Sequence, residues 1–173
     1  MISETGSDVS KLLVESPEVD VISYTGSTHV GKLIMAAGAP TLKRMNLELG
    51  GSAPCVVFGD ANLDETVAGI TRAAMAHTGQ VCVAASRVIA EQSIAAELES
   101  KLAERLGGLK LGVADSADSQ LGPLIDTASR DRIAGLVTAS KDIGEVVLEG
   151  SAPGGDLGNG SFISPSLVHL SLI

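Results

Sequence analysis

Hydrophobic and polar residues alternate in short blocks that predict strands and helices in turn along the chain. The run Asp20–Tyr24 holds β-branched and aromatic residues and predicts a buried strand. Apolar residues spaced as on one helix face predict a helix over Val30–Ala39, which Pro40 ends. Met45–Leu49 predicts a second strand. Two strands separated by one helix are typical of a parallel βαβ unit, so the first part of the chain is predicted to be α/β.

A second series of elements follows with the same alternation. Pro54–Phe58 predicts a strand, and Asn62 is a suitable N-cap for a helix whose apolar face runs from Leu63 to His77. Gly79 ends that helix. The remaining predicted elements are a strand at Arg87–Glu91, a helix capped by Ser93 and closed at Gly107, a helix over Arg130–Ser140, and extended pieces at Val146–Leu148 and Leu167–Leu170.

Charge and aromatic content exclude a nucleic-acid partner. The 173 residues include 12 Lys and Arg against 21 Asp and Glu, a formal net charge of −9. Phosphate binding needs a basic surface, and base stacking needs aromatic residues, of which the chain has Tyr24, Phe58 and Phe162. A hydrophobic content of 45% is enough for an aliphatic core.

The chain lacks the patterns of a membrane, secreted or metal-binding protein. No apolar run approaches the ~18 residues of a membrane span, and the first residues do not resemble a signal peptide. Two cysteines do not make a disulfide framework, so we expect a cytoplasmic location. The three histidines lie far apart, so we expect no metal site. The apolar end His169–Ile173 suggests a chain cut from something longer.

A first candidate for chemistry lies between the first strand and the first helix. In Tyr24–Gly31, Gly26 permits a tight turn, and Ser27 and Thr28 offer hydroxyls beside the unpaired N–H groups of a helix start. This arrangement suits a phosphate group. The alternative is an ordinary N-cap after a strand.

A second candidate is Glu48, an acid within the apolar segment Leu47–Gly51. Burial would raise the pKa of its carboxyl group and suit it to general-base catalysis near neutral pH. The alternative is a charge on a half-exposed strand that points into water.

A third candidate is Cys82, in the loop Gly79–Arg87 between a helix and a strand. A reactive cysteine needs an activating neighbour, such as an adjacent base or a bound cofactor. The alternative is a buried structural thiol, and Cys55, inside a predicted strand, is predicted to be of that kind.

The order and spacing of these three motifs resemble the aldehyde dehydrogenase superfamily. A phosphate-type turn is followed by Glu-Leu-Gly-Gly and then by Gly-Gln-x-Cys, with Cys82 lying 34 residues after Glu48. The resemblance runs from about Ile2 to Val168. Further residues and segments that match the family pattern are Lys43, Pro54, Asp60–Asp64, Ala85–Arg87 and Leu121–Leu124.

The resemblance implies the oxidation of an aldehyde to a carboxylic acid with NAD or NADP. Cys82 would be the nucleophile that forms a thiohemiacetal and then a thioester, and its backbone N–H would form part of the oxyanion hole. Glu48 would be the general base that activates water for hydrolysis of the thioester. Partners would be a small-molecule aldehyde and further copies of the chain, with no nucleic acid and no membrane.

The resemblance also implies the cofactor contacts. Ser27 would bind the pyrophosphate, Gly26 and Val30 would line the adenosine side, and the Leu49 backbone would lie by the nicotinamide amide. Gly6 matches the first of two spaced glycines that the family places before the strand.

Two positions depart from the family pattern. Ser10 stands where the second of the spaced glycines is usual, which makes a close approach of backbone and cofactor less favourable. Beyond Gly122, many members place a glutamine near the nicotinamide ribose, and that position here is Ser129, with Arg132 nearby.

As a fold, the resemblance implies an α/β protein with a partial Rossmann-like βαβ unit followed by part of an α/β catalytic domain with an open, mostly parallel sheet. Residues 1–50 would be the C-terminal part of the dinucleotide-binding domain and residues 51–173 the N-terminal part of the catalytic domain. The family's upstream oxyanion-hole asparagine and its downstream Glu-x-Phe segment have no counterpart in this sequence. We therefore expect weak or no turnover by this chain alone, and self-association through open sheet edges.

Two other functions stay open at this point. The chain could be a non-catalytic remnant that keeps the fold as a binding or assembly module. It could also be a thiol-dependent esterase that uses Cys82 and Glu48 without a nucleotide. The particular aldehyde and the choice between NAD and NADP do not follow from this sequence.

Overall fold

The computed structural model describes residues 1–170, which form two compact units, Met1–Gly51 and a second unit that begins at Ser52. The boundary between the units lies one residue from the domain boundary expected from the sequence. The assignment of the units to a cofactor domain and a catalytic domain stays a prediction. The apolar chain end from 171 onward lies outside the described residues.

The first unit is a parallel βαβ arrangement with one additional helix. Strands β1 (Val21–Gly26) and β2 (Arg44–Leu49) pair in parallel on either side of helix α2 (Thr28–Gly38) in the sequence, and helix α1 (Asp8–Glu15) precedes them. A short 3₁₀ turn, Ala39–Thr41, follows α2 where Pro40 stops the α-helix. The predicted βαβ unit is therefore confirmed.

Both strands of this unit alternate between exposed and half-buried residues. The half-buried positions of β1 are Ile22, Tyr24 and Gly26, and those of β2 follow the same period. Helix α2 contacts both strands and covers their half-buried face. The expectation that Asp20–Tyr24 is a buried strand is wrong, because only one face of this pair is covered.

Close packing and one lysine hold the first unit together. A Cβ atom on Gly31 would lie 2.7 Å from Cδ2 of Leu49, so glycine lets α2 approach β2 at this point. The Lys43 ammonium donates to the carbonyl oxygens of Ser16 and Val19, 2.6 Å away in the second case. Lys43 thereby joins the start of β2 to the turn before β1.

The second unit has a parallel and an antiparallel strand pair. Strands β3 (Pro54–Val57) and β4 (Arg87–Ala90) pair in parallel, and β5 (Glu145–Leu148) and β6 (Leu167–His169) pair antiparallel. Its helices are α3 (Leu63–Met75), α4 (Ala95–Gly107) and α5 (Thr127–Ser140). A 3₁₀ turn spans Gly155–Asn159. The α/β fold with mostly parallel pairing agrees with the prediction.

The core of the second unit lies between the β3–β4 sheet and helices α3 and α4. Its buried members are Val57, Val67, Ile70, Leu98 and Leu102. The side chain of Asn62 accepts from the backbone N–H groups of Asp64 and Glu65, as an N-cap does. A 2.7 Å ion pair between Lys101 and Asp64 joins the two helices at the surface.

Three sequence expectations differ from the structure of this unit. His77 is exposed and lies beyond α3, which ends at Met75. Ser93 does not cap α4, because its hydroxyl donates to the Glu91 carboxylate instead. Cys55 is half-buried and not fully buried, although it packs against the core as a structural thiol does. Within residues 1–170, no helix is both long and apolar enough to cross a bilayer.

Candidate functional site

The Cys82 thiol is exposed on the loop between α3 and β4. Cys82 follows a turn with unusual backbone angles and precedes Ala84, which is buried with 6% of its surface exposed. The Ala84 N–H donates to the Val81 carbonyl at 3.2 Å, so the chain folds back directly around Cys82. The alternative of a buried structural thiol is therefore wrong for Cys82.

The turn before Cys82 has three successive residues with positive φ angles. The values are 48° at His77, 59° at Thr78 and 74° at Gly79. Only glycine adopts this left-handed region without strain, so His77 and Thr78 need support from their surroundings.

That support comes from the segment Leu121–Ile125. The Thr78 hydroxyl donates to the Gly122 carbonyl at 3.4 Å. The Gln80 side chain accepts from the Ile125 N–H at 2.9 Å and donates to the His77 carbonyl at 3.1 Å. These bonds connect the turn before Cys82 to a segment more than forty residues away in sequence.

The segment Leu121–Ile125 is itself firmly packed. Leu121 and Leu124 are buried, with 3% and 4% of their surfaces exposed. The Leu124 N–H donates to the Ser161 carbonyl at 2.9 Å, and the neighbouring Phe162 is also buried. The Cys82 loop is therefore supported by a segment that holds buried apolar residues.

The Cys82 backbone N–H has no hydrogen-bond partner among the described residues. A backbone N–H beside a thiol can donate to a developing oxyanion. The predicted role of this N–H in an oxyanion hole thus has a free donor available.

In the first unit, the end of β1 and the start of α2 form the predicted phosphate-type turn. The Ser27 hydroxyl accepts from the Val30 N–H at 3.2 Å, as an N-cap. The N–H groups of Thr28 and His29 have no partner within the helix, because they belong to its first turn. A Cβ atom on Gly26 would meet the Tyr24 hydroxyl, so a larger residue there would require the Tyr24 side chain to move. The turn is an N-cap and also offers free N–H groups to an anion.

Glu48 is exposed and lies on the uncovered face of β2, where its register partner on β1 is Thr25. The expectation of a buried carboxyl is wrong for this unit, because strand alternation places Glu48 on the face opposite Leu47 and Leu49. Glu48 belongs to the first unit and Cys82 to the second.

Gly6 lies two residues before α1, and Ser10 lies in the first turn of that helix. Ser10 is helical, and its N–H and hydroxyl donate to the Glu4 carboxylate, as does the Val9 N–H. The Ser10 hydroxyl and the Val9 N–H lower the pKa of Glu4. Glu4 therefore occupies the helix start, while a Cβ on Gly6 would meet no atom within 4 Å.

Helix α5 begins directly after the supporting segment. Asp126 is its N-cap and accepts from the Ser129 N–H at 2.7 Å. Hydrogen bonds from the Ser129 side chain and backbone lower the pKa of Asp126 below its ordinary value of 3.8. Ser129, the position expected near the nicotinamide ribose, is thus a first-turn residue of this helix, with Arg132 exposed one turn further on.

Within residues 1–170, no three His, Cys, Asp or Glu side chains converge as a candidate metal site. Sequence reasoning assigned no role to Gln80, Thr78 or Ile125. The Gly-Gln-x-Cys motif drew attention to this segment, but nothing local in the sequence indicates that Gln80 bonds to residue 125.

Comparisons with known proteins agree with the motifs. The aldehyde dehydrogenase family profile matches residues 1–170. The chain is 40% identical over 166 residues to succinate-semialdehyde dehydrogenase of Paenarthrobacter nicotinovorans, covering 96% of this chain and 36% of that protein. It is 43% identical over 152 residues to mouse cytosolic aldehyde dehydrogenase 1, covering 87% of this chain and 30% of that protein.

Solved structures give the same result. The crystal structure of betaine aldehyde dehydrogenase from Staphylococcus aureus in complex with NAD⁺ superposes with a TM-score of 0.90 at 33% identity. The match covers 96% of this chain and 34% of that one. The HpcC protein of Thermus thermophilus matches with a TM-score of 0.88 at 30% identity, over 94% of this chain.

The chain therefore belongs to the aldehyde dehydrogenase family. It spans about a third of the length of the relatives that it matches.

The Asp126 cap predicts a pH-dependent stability. Since the folded-state pKa of Asp126 lies below its unfolded value, the capping interaction stabilises the fold above about pH 4 and is lost as pH falls through the folded-state pKa. Asp126→Asn keeps an acceptor oxygen but removes the charge. We expect the melting temperature of the original chain to fall more than that of the variant between pH 5 and pH 2, measured by circular dichroism. Equal falls would contradict this.

Proposed function

We propose that this chain supplies the thiol and part of the cofactor site of an NAD(P)-dependent aldehyde dehydrogenase acting on a small-molecule aldehyde. The observation that carries the proposal is the exposed Cys82 thiol. The backbone N–H of the same residue has no hydrogen-bond partner among the described residues. Family membership supplies the reaction class. Free thiols also fit the reducing cytoplasm as its location.

The chemistry starts at the Cys82 sulfur. The thiolate attacks the aldehyde carbonyl carbon, a C–S bond forms, and the carbonyl oxygen takes the negative charge. The Cys82 N–H donates to that oxygen, which lowers the energy of the tetrahedral thiohemiacetal. A fixed loop holds donor and sulfur in one geometry and lowers the entropic cost of the step.

Bound NAD or NADP supplies the hydride acceptor. Loss of hydride from the thiohemiacetal leaves an acyl thioester on Cys82. Water then attacks the thioester carbonyl, the C–S bond breaks, and the carboxylic acid leaves. For Glu48 we propose the role of the base that takes a proton from that water, which is the role implied by the Glu-Leu-Gly-Gly motif.

The turn at the start of α2 fits the pyrophosphate of such a cofactor. Free N–H groups and the positive end of the helix dipole favour an anion there, and Gly26 leaves no side chain in the way. We propose Ser27, Gly26 and Val30 as cofactor contacts. Leu49 and Gly6 are proposed on the same motif correspondence.

Acyl transfer from p-nitrophenyl acetate tests the roles of Cys82 and Glu48 without the rest of a full-length enzyme. Attack by the thiolate forms an acetyl thioester and releases p-nitrophenolate, which absorbs visible light. We expect rapid release that Cys82→Ser removes and Cys55→Ser retains. Glu48→Gln should keep the rapid release and slow the later steady release by about 10²-fold, because water loses its base.

Glu18→Gln is the matched control, since it removes another exposed acid of the same unit. Rapid release that survives Cys82→Ser would contradict the proposal. Steady hydrolysis that is fast and unaffected by NAD or NADP would favour the thiol esterase. No rapid release from the original chain would favour a non-catalytic remnant.

We also propose that copies of the chain associate. On the outer face of the β3–β4 sheet, the paired residues Val56 and Ile89 are 55% and 40% exposed, and the adjacent Phe58 is 66% exposed. Contiguous apolar surface of this kind favours association. We expect sedimentation velocity to show dimers or larger species, and Val56→Lys to reduce them. A monomer at high concentration would contradict this.

A further inference from the structure

The Gln80 side chain uses both ends of its amide group in the turn before Cys82. Its oxygen accepts from the Ile125 N–H at 2.9 Å, and its nitrogen donates to the His77 carbonyl at 3.1 Å. The side-chain nitrogen adds a second donor to the His77 carbonyl, which also accepts from the Gln80 backbone N–H at 3.2 Å. The side-chain oxygen supplies the bond that reaches Ile125. Glutamate would place an oxygen against the His77 carbonyl, and asparagine is one methylene shorter.

These two bonds act at the strained part of the backbone. His77 and Thr78 have φ angles of 48° and 59°, which cost free energy for residues with a Cβ atom. The Gln80 nitrogen fixes the His77 carbonyl, and the Thr78 hydroxyl adds a bond to Gly122 at 3.4 Å. The turn is thus held from both of its ends.

The anchor on the other side does not depend on Gln80. Leu121 and Leu124 are buried, and the Leu124 N–H is bonded to Ser161. Ile125, by contrast, is 82% exposed and contributes its backbone N–H to Gln80. Gln80 therefore transfers the rigidity of a packed segment to the loop that carries Cys82 two residues later.

We propose that Gln80 is a positioning residue, which holds the Cys82 sulfur and the Cys82 N–H in the geometry that carbonyl attack requires. The proposal rests on the proposed role of Cys82 as the nucleophile. Gln80 itself does not touch the reacting atoms in this proposal. The effect of Gln80 is confined to reactions in which the Cys82 N–H donates a hydrogen bond to an oxyanion.

Two reagents separate positioning from general stability. Acylation by p-nitrophenyl acetate passes through an oxyanion, whereas alkylation by iodoacetamide at the same sulfur does not. For Gln80→Ala we expect about a tenfold lower rate of Cys82 acylation, because a mobile donor loses part of its effect. Alkylation of Cys82 should change by less than about twofold, since the thiol is already exposed.

Gln120→Ala is the matched control. The Gln120 oxygen accepts from the Lys110 N–H at 2.9 Å, so this variant loses a comparable side-chain hydrogen bond beside the supporting segment but none to the turn before Cys82. We expect it to leave both rates at Cys82 unchanged. If Gln80→Ala does not fold, Gln80→Glu tests the proposal instead, because glutamate keeps the acceptor for the Ile125 N–H. For Gln80→Glu we expect about a threefold lower rate of Cys82 acylation.

The possible failures are distinguishable. Selective acylation of Cys82 in the original chain, with no loss in Gln80→Ala or Gln80→Glu, overturns the positioning role and leaves the proposed function intact. Equal loss of acylation and alkylation also overturns it, because that is the result of a merely structural role. If Cys82 is acylated no faster than Cys55 in the original chain, the proposed function fails and the positioning role fails with it.

Discussion

Side-chain hydrogen bonds from Thr78 and Gln80 to the segment ahead of α5 fix the loop that carries Cys82. Without these bonds, the left-handed backbone conformation of His77 and Thr78 would be unfavourable for residues with a Cβ atom. The position of the thiol and the free state of the Cys82 N–H both follow from this loop geometry. The proposed chemistry therefore depends on a few polar contacts more than on the apolar core.

In the first unit, a few residues at the strand-to-helix turn also serve several structural roles. Ser27 satisfies one N–H group at the start of α2, and Gly26 and Gly31 permit close approach on either side of it. One short sequence thus ends a strand, caps a helix and leaves an anion site open. This is why an ordinary N-cap and a phosphate turn are compatible descriptions of the same residues.

Local patterns predicted the elements well, since apolar periodicity and caps are local properties. The Asn62 cap was predicted on that basis and is confirmed. The end of α3 was not, because His77 fits the helix periodicity and only contacts with distant residues turn the backbone there. The exposure of Glu48 follows from simple strand alternation, and it matches the alternative of a charge on a half-exposed strand.

The candidate site shows the same division. Motif order and spacing predicted roles for Cys82, Glu48 and Ser27, which stay predictions, and the family that the motifs resemble is confirmed. The role of Gln80 was missed because its partner, Ile125, lies 45 residues away and contributes only a backbone N–H. Sequence patterns report side-chain chemistry, and they carry no signal for such a bond.

Amide hydrogen exchange at Ile125 tests most directly whether the Cys82 loop is fixed in this way. The Ile125 side chain is exposed, so protection of its N–H must come from the bond to Gln80. We predict exchange at least about tenfold slower than in an unstructured peptide, because the bond must open first. Exchange of the Ile125 N–H at the unstructured rate would show that the loop is not held, and would contradict this account of the site.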